Sequence, residues 1–328
     1  MAVTRSRTTF CGIPAVERDA IPADAVAAVL GAGHSFGSPH EGAENGPFFL
    51  RTLSKAYTWS ASRPLVAAVE SGAPALAGVV DIGDLRLEDG LAAAVAEIAE
   101  EVERLPSGTA PCVIGGDHTV TAGVLAGLAA RDATQFTVVQ FDNHPDLQTW
   151  GDGPRAPSRE LLFNTNVMSH VADAVGAERV VQIGLLPYLT VEEESSDALP
   201  GFLGRSGRQF SLLNDAVHDP ELLRKTPGLD GPAARDIYVT VDLDVLSDAE
   251  MSSTPYPSPL GLTTRELMRL IDVVLRGNRL VGFDVVEFAA SRDDRNPKTL
   301  ADAGRATSIF LHLLTHTAGA RSDAVVAR

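Results

Sequence analysis

Short apolar runs rich in β-branched residues alternate along the chain with stretches of helical periodicity. Eight runs read as strands: Ala25–Ala32, Val79–Ile82, Cys112–Ile114, Phe136–Phe141, Arg179–Ile183, Phe210–Leu213, Asp236–Leu243 and Leu280–Glu287. Several are apolar almost throughout, such as TVVQF, VVQIG and LVGFDVVEF. A strand that is apolar on both faces belongs in the middle of a parallel sheet covered by helices. Four intervening stretches read as helices. Gly90–Leu105 is alanine-rich with an acidic face, and Thr119–Ala130 follows a strand and a glycine pair. Thr263–Leu275 opens with Thr263 and Glu266 at capping-box spacing, and Lys298–Leu314 carries a mixed apolar run. Strand and helix alternating over the whole length predict an α/β sandwich of three layers. With no interdomain linker and no internal repeat, residues 1–328 are expected to form a single domain. The Pro- and Gly-rich segments Gly151–Pro157 and Ser253–Gly261 fall just after strands, where open α/β sheets build ligand sites.

Composition narrows the class of partner. Lys and Arg number 27 against 43 Asp and Glu, a formal charge of −16. Such a chain repels a phosphate backbone and an anionic bilayer surface, so neither nucleic acid nor membrane is an expected partner. No uncharged apolar run reaches the ~20 residues of a spanning helix. The opening MAVTRSRTTFCGIPAVERD has basic residues but no long apolar stretch after them, so no secretory signal is expected. Two cysteines, Cys11 and Cys112, are too few for a disulfide framework, which points to a reducing, cytoplasmic setting.

Four segments hold a high density of metal-type ligands, each at or just past the C-terminal end of a predicted strand: GGDHTV (115–120), FDNHPDLQ (141–148), VTVDLDV (239–245) and GFDVVEF (282–288). Asp142, His144 and Asp146 alternate, and alternate side chains of extended backbone share a face, so the three are expected to converge. Asp242 and Asp244 repeat the spacing, and His118 adds a second imidazole. Four carboxylates gathered together repel one another unless cations sit among them. Carboxylate and imidazole without thiolate suit Mn²⁺ better than a structural zinc. Taken singly, a DxD at a strand end serves equally as a turn. The glycines of GGDH need only make a tight turn, with Asp117 capping the next helix. The argument rests on their combination.

These segments, in this order, resemble the ureohydrolase family of arginases, agmatinases and related amidinohydrolases. The resemblance covers most of the chain, from EGAENGPFFLR (41–51) through GGDHTV, DNHPD, TVDLDVL and DVVEF into SRDDRNPKTLADAGRA. It implies a three-layer α/β/α sandwich with a mostly parallel eight-stranded sheet and two Mn²⁺ per chain. One ion would take His118, Asp142, Asp146 and Asp242, the other Asp142, His144, Asp242 and Asp244. It further implies that Glu287 holds a substrate guanidinium, and that the chain forms a homo-oligomer, a trimer or hexamer. The chemistry is coherent. A guanidinium is a resonance-stabilised cation that plain water does not attack. Two metals ~3.5–4 Å apart share one hydroxide whose pKa falls towards ~7. Glu287 would fix the planar cation by charge-assisted hydrogen bonds. Asp146 would pass a proton to the leaving amine, giving urea and an amine.

The sequence also departs from that family. Asn143 stands where alanine is usual. Thr165 and Asn166 stand where many members carry a His-Gly pair whose histidine shuttles protons, and the loop Gln148–Leu162 looks long. His170 is the candidate replacement and His34 a second. His40, His218, His312 and His316 are expected on surfaces or helices. The Asn-containing loop and TPYPSPLGL, with Tyr256, are the segments that would choose a neutral or larger amidine substrate. The leading expectation is a Mn²⁺-dependent hydrolase of a linear C–N bond in a small guanidino or amidino compound. Its alternatives are a formimidoyl-group hydrolase releasing formamide, a single-zinc deacylase with a related sheet, and a metal-binding but catalytically silent homologue.

Overall fold

All eight apolar runs form strands. The computed structural model describes residues 8–57, 76–87, 90–132, 135–147, 161–188, 208–230 and 234–326. The strands are β1 (Ala27–Ala32), β2 (Val79–Asp84), β3 (Ala110–Gly115), β4 (Thr137–Phe141), β5 (Val180–Leu185), β6 (Gln209–Ser211), β7 (Asp236–Asp242) and β8 (Arg279–Val286). They pair in parallel in one sheet of order β2-β1-β3-β8-β7-β4-β5-β6. The helices are α1 (Gly46–Ser54), α2 (Leu91–Glu103), α3 (Val120–Asp132), α4 (Val167–Val175), α5 (Asp215–His218), α6 (Thr264–Leu275) and α7 (Pro297–Val326).

Two apolar clusters, one on each face of the sheet, make the three layers. Phe49 and Leu50 of α1, Leu267 and Ile271 of α6 and Ile309 and Phe310 of α7 pack with Val29, Ile114 and Val239. Ile98 of α2, Val124 of α3 and Val171 of α4 pack with Leu30, Val113 and Val138. Alternate residues of one strand thus feed opposite cores, which is why the central strands read as continuous apolar runs. The Thr263–Glu266 capping box forms as expected: the Thr263 N–H donates to Glu266 Oε2 at 2.8 Å, and the Glu266 N–H to Thr263 Oγ1 at 3.3 Å.

Several boundaries differ from the expected ones. Leu213 lies in a turn and is 64% exposed, because Asn214 next to it caps α5 by accepting the Ala216 N–H. Leu243 belongs to a 3-10 turn and Glu287 follows β8 rather than ending it. Helix α7 continues beyond Leu314 to Val326. Most of the loop expected at Gln148–Leu162, residues 148–160, lies outside the described residues. Among the described residues no helix is long and apolar enough to cross a membrane.

Arg51, the last residue of EGAENGPFFLR, is buried and ties α1 to β2. Its Nη1 meets Asp81, and its Nε donates to Asp84 Oδ1 at 2.7 Å. The four segments rich in ligand residues follow β3, β8, β7 and β4, which are consecutive in the middle of the sheet, at their C-terminal ends.

Candidate metal centre

His118 is set by the turn between β3 and α3. The chain must pass the loop after β1 closely there: a Cβ on Gly116 would lie 2.0 Å from the His34 carbonyl oxygen. Asp117 fastens the crossing by accepting the N–H groups of Gly37 (2.7 Å) and Thr119 (3.0 Å), with His34 Nδ1 3.5 Å away. His34 is therefore engaged with Asp117, while its buried Nε2 has no hydrogen-bond partner among the described residues. The His118 ring is fully buried, with Nε2 3.0 Å from Thr240 Oγ1. Its Nδ1 faces Asp146 Oδ2 at 2.9 Å and Asp142 and Asp242 Oδ2 at 3.3 Å each, and makes no hydrogen bond among the described residues.

The aspartates converge by a route other than the expected extended backbone. Strand β4 ends at Phe141, and Asp142 Oδ1 accepts the His144 N–H at 2.5 Å. Asp242 Oδ1 likewise accepts the Asp244 N–H at 2.9 Å and starts the 3-10 turn Leu243–Val245. Each is an aspartate-driven turn that takes the chain out of the sheet. Asp146 then adopts a left-handed backbone, φ 48°, which brings its carboxylate back towards His118.

Two sets of ligand atoms each lie within 4.8 Å of one another: His118, Asp142, Asp146 and Asp242, and then Asp142, His144 and Asp244. His144 Nδ1 is 2.9 Å from Asp244 Oδ2 and 3.6 Å from Asp142 Oδ1. The six residues are thus brought together, with Asp142 common to both sets and Asp242 in the first alone. Burial first, and then Asp142, pushes Asp146 up to about 6 and Asp244 up to about 7. Burial, then Asp244 and Asp142, raises Asp242 well above the carboxylate range. Against the lowering effect of burial, hydrogen bonds to Asp142 and Asp244 push His144 up to about 12. A buried carboxylate cluster, a donor set free of thiolate and an imidazole nitrogen with no hydrogen bond fit divalent cations at both positions.

Glu287 stands beside this cluster in a left-handed backbone, φ 61°, and is buried. Its Oε1 accepts the His118 N–H at 2.9 Å and the Asn164 Nδ2–H at 3.5 Å, while Oε2 is buried with no hydrogen-bond partner among the described residues. Burial, then Asp117, pushes the carboxyl up to about 8. It is a buried acceptor with one oxygen to spare.

Sequence reasoning missed the groups behind the ligands. Gln140, Gln182 and Gln209 are in register on β4, β5 and β6. Their amides form an oriented chain: Gln209 Nε2 donates to Gln182 Oε1 (2.6 Å), Gln182 Nε2 to Gln140 Oε1, and Gln140 Nε2 to Asp142 Oδ2 (2.6 Å). On the other side Asp284 accepts from Thr121 at 3.0 Å and Tyr238 at 2.5 Å, and Thr121 touches Thr240, the partner of His118. The available signal was glutamine inside otherwise apolar strands, since a buried amide needs partners.

The other candidates divide. Asn143 bridges loops, donating to the carbonyls of Asp244 and Leu260. Asn166 serves its own loop, bonding Phe163 and Leu161. Asn164, not Asn166, reaches the site. Thr165 is half-buried, and His170, on α4, makes no hydrogen bond or ion pair among the described residues. Tyr256 is 39% exposed and edges onto His144 (6.0 Å between centroids) and His40 (4.9 Å), beside the second set of ligands.

The family model described as "Arginase family" matches residues 25–312. The chain belongs to the arginase family. Formimidoylglutamase from Halobacterium salinarum is 33% identical over 266 residues, covering 77% of this chain and 79% of that protein. Agmatinase from Bacillus anthracis is 28% identical over 222 residues, covering 66% and 70%. The proclavaminate amidino hydrolase of Streptomyces clavuligerus has the same fold, with a TM-score of 0.73, 24% identity and coverage of 95% and 97%. This arginase-family chain is a hydrolase of non-peptide C–N bonds in linear amidines.

Proposed function

We propose that the chain hydrolyses the C–N bond of a small guanidino or amidino compound at a site holding two Mn²⁺ ions. The observation that carries this reading is the placement of Glu287, a buried carboxylate whose Oε2 has no hydrogen-bond partner among the described residues, against the His118 end of the cluster. The first ion would be held by His118, Asp142, Asp146 and Asp242, and the second by Asp142, His144 and Asp244, with Asp242 completing it. Hard oxygen donors with imidazole support Mn²⁺. When bound, the ions supply the Lewis acidity that makes water a nucleophile near neutral pH.

The chain's own residues do the rest. Glu287 orients the planar cation through charge-assisted hydrogen bonds, and Asn164 steadies Glu287. Asp146 accepts a proton from the attacking water and delivers it to the leaving amine, with His170 the candidate carrier onward. Burial of the carboxylates keeps bulk water away and strengthens each of these interactions. A guanidino substrate gives urea and an amine. A second reading, a formimidoyl substrate giving formamide, is supported by the Halobacterium salinarum relative and its name. The two free, buried thiols Cys11 and Cys112 support a reducing, cytoplasmic setting, and the family resemblance supports a trimer or hexamer.

The test is a panel of guanidino acids, guanidino amines and formimidoyl amino acids incubated with Mn²⁺-loaded protein, with urea and formamide both measured. Urea supports the first reading and formamide the second. Neither product from any compound contradicts both readings.

A further inference from the structure

A third group of metal-type ligands lies outside the catalytic cluster, where α6 packs on α7. His312 and His316 are four residues apart on α7, so their imidazoles share one helical face. Asp272 of α6 faces them. Its Oδ1 is 2.8 Å from His312 Nε2 and 2.9 Å from His316 Nε2, and one ligand atom from each residue lies within 4.8 Å of the others. The two rings stand at 85° with centroids 5.1 Å apart, so their nitrogens approach the same oxygen from different directions.

The two contacts are not equivalent. His316 Nε2 makes a hydrogen bond with Asp272 Oδ1. His312 Nε2 is as near, but it is buried and makes no hydrogen bond of acceptable geometry among the described residues. Its nitrogen is held 2.8 Å from the carboxylate without hydrogen-bond alignment. Burial raises the Asp272 carboxyl, and the two imidazoles outweigh it and hold the group well below the usual carboxylate range. The Asp272 side chain is 49% exposed.

We propose that Asp272, His312 and His316 form a binding site for a borderline divalent cation such as Zn²⁺, which fastens α6 to α7. Two imidazoles and one carboxylate are a three-ligand zinc set with the fourth position left to water. Ligand atoms on one tetrahedral zinc stand about 3.3 Å apart, so the three residues open by about half an ångström on binding. Mn²⁺ binds such an imidazole-rich set more weakly than Zn²⁺, so loading the catalytic cluster with Mn²⁺ leaves this site to zinc.

The experiment is a Zn²⁺ titration of Mn²⁺-loaded enzyme, with both metals counted after dialysis, for wild type, His316→Gln and Asp272→Asn. The wild type is expected to take up Zn²⁺ with its Mn²⁺ retained. Each variant is expected to lose at least about tenfold in Zn²⁺ affinity, with Mn²⁺ content and turnover unchanged. Equal Zn²⁺ uptake by wild type and variants, or uptake only by replacement of Mn²⁺, overturns the site. The difference between wild type and variants reads this site whatever the catalytic cluster holds, so its failure is separable from failure of the proposed function.

Discussion

Asp142 and Asp242 make the same turn on neighbouring strands. Each accepts through Oδ1 the amide two residues on, and each holds Oδ2 3.3 Å from His118 Nδ1. One carboxylate oxygen bends the chain, and that bend brings the next residue into the cluster, His144 in one case and Asp244 in the other.

Glu287→Gln tests the substrate anchor. The amide keeps an oxygen for the His118 N–H, so Mn²⁺ content should stay at the wild-type level. kcat/KM for a cationic amidine should fall about 10- to 150-fold, the loss of ~1.5–3 kcal/mol of charge-assisted hydrogen bonding. Steady-state kinetics with metal analysis checks this. Unchanged kinetics would remove Glu287 from the site's chemistry.

Gln182→Leu tests the glutamine chain. It cuts the donor to Gln140 Oε1 and the one to the Pro145 carbonyl (2.7 Å), leaving Gln140 free to turn from Asp142. Mn²⁺ affinity should fall about 10- to 100-fold, the usual scale for a partner behind a ligand. Competition with a metal-binding dye measures it, and wild-type affinity would make the chain a packing feature only.

His170→Ala and Thr165→His separate two proton routes. If His170 carries the proton, the first variant should lower kcat about 10²-fold or more while leaving KM and metal content unchanged. Thr165→His should raise turnover of simple guanidines. A silent His170→Ala leaves Asp146 as the carrier.

The fold was legible because the central strands are buried on both faces. TVVQF and LVGFDVVEF could belong nowhere else, and Thr263 and Glu266 announced their helix by local hydrogen bonding. The six clustered residues were legible as residue types at strand ends. Their backbone was not, because Asp142 and Asp242 bend the chain with their own side chains, which spacing alone does not distinguish from extended strand. Asn164 and Asn166 differ only in which way a 3-10 turn points them, so sequence grouped them where the structure separates a site residue from a loop bond. Gln140 and Gln182 were overlooked because their partners come from other strands, and strand order is a tertiary property.

The most direct measurement is anomalous diffraction at the manganese edge from crystals grown with Mn²⁺. Two peaks are predicted, one among His118, Asp142, Asp146 and Asp242 and the other against Asp142, His144 and Asp244. A single peak, or none at these side chains, would contradict the two-metal site.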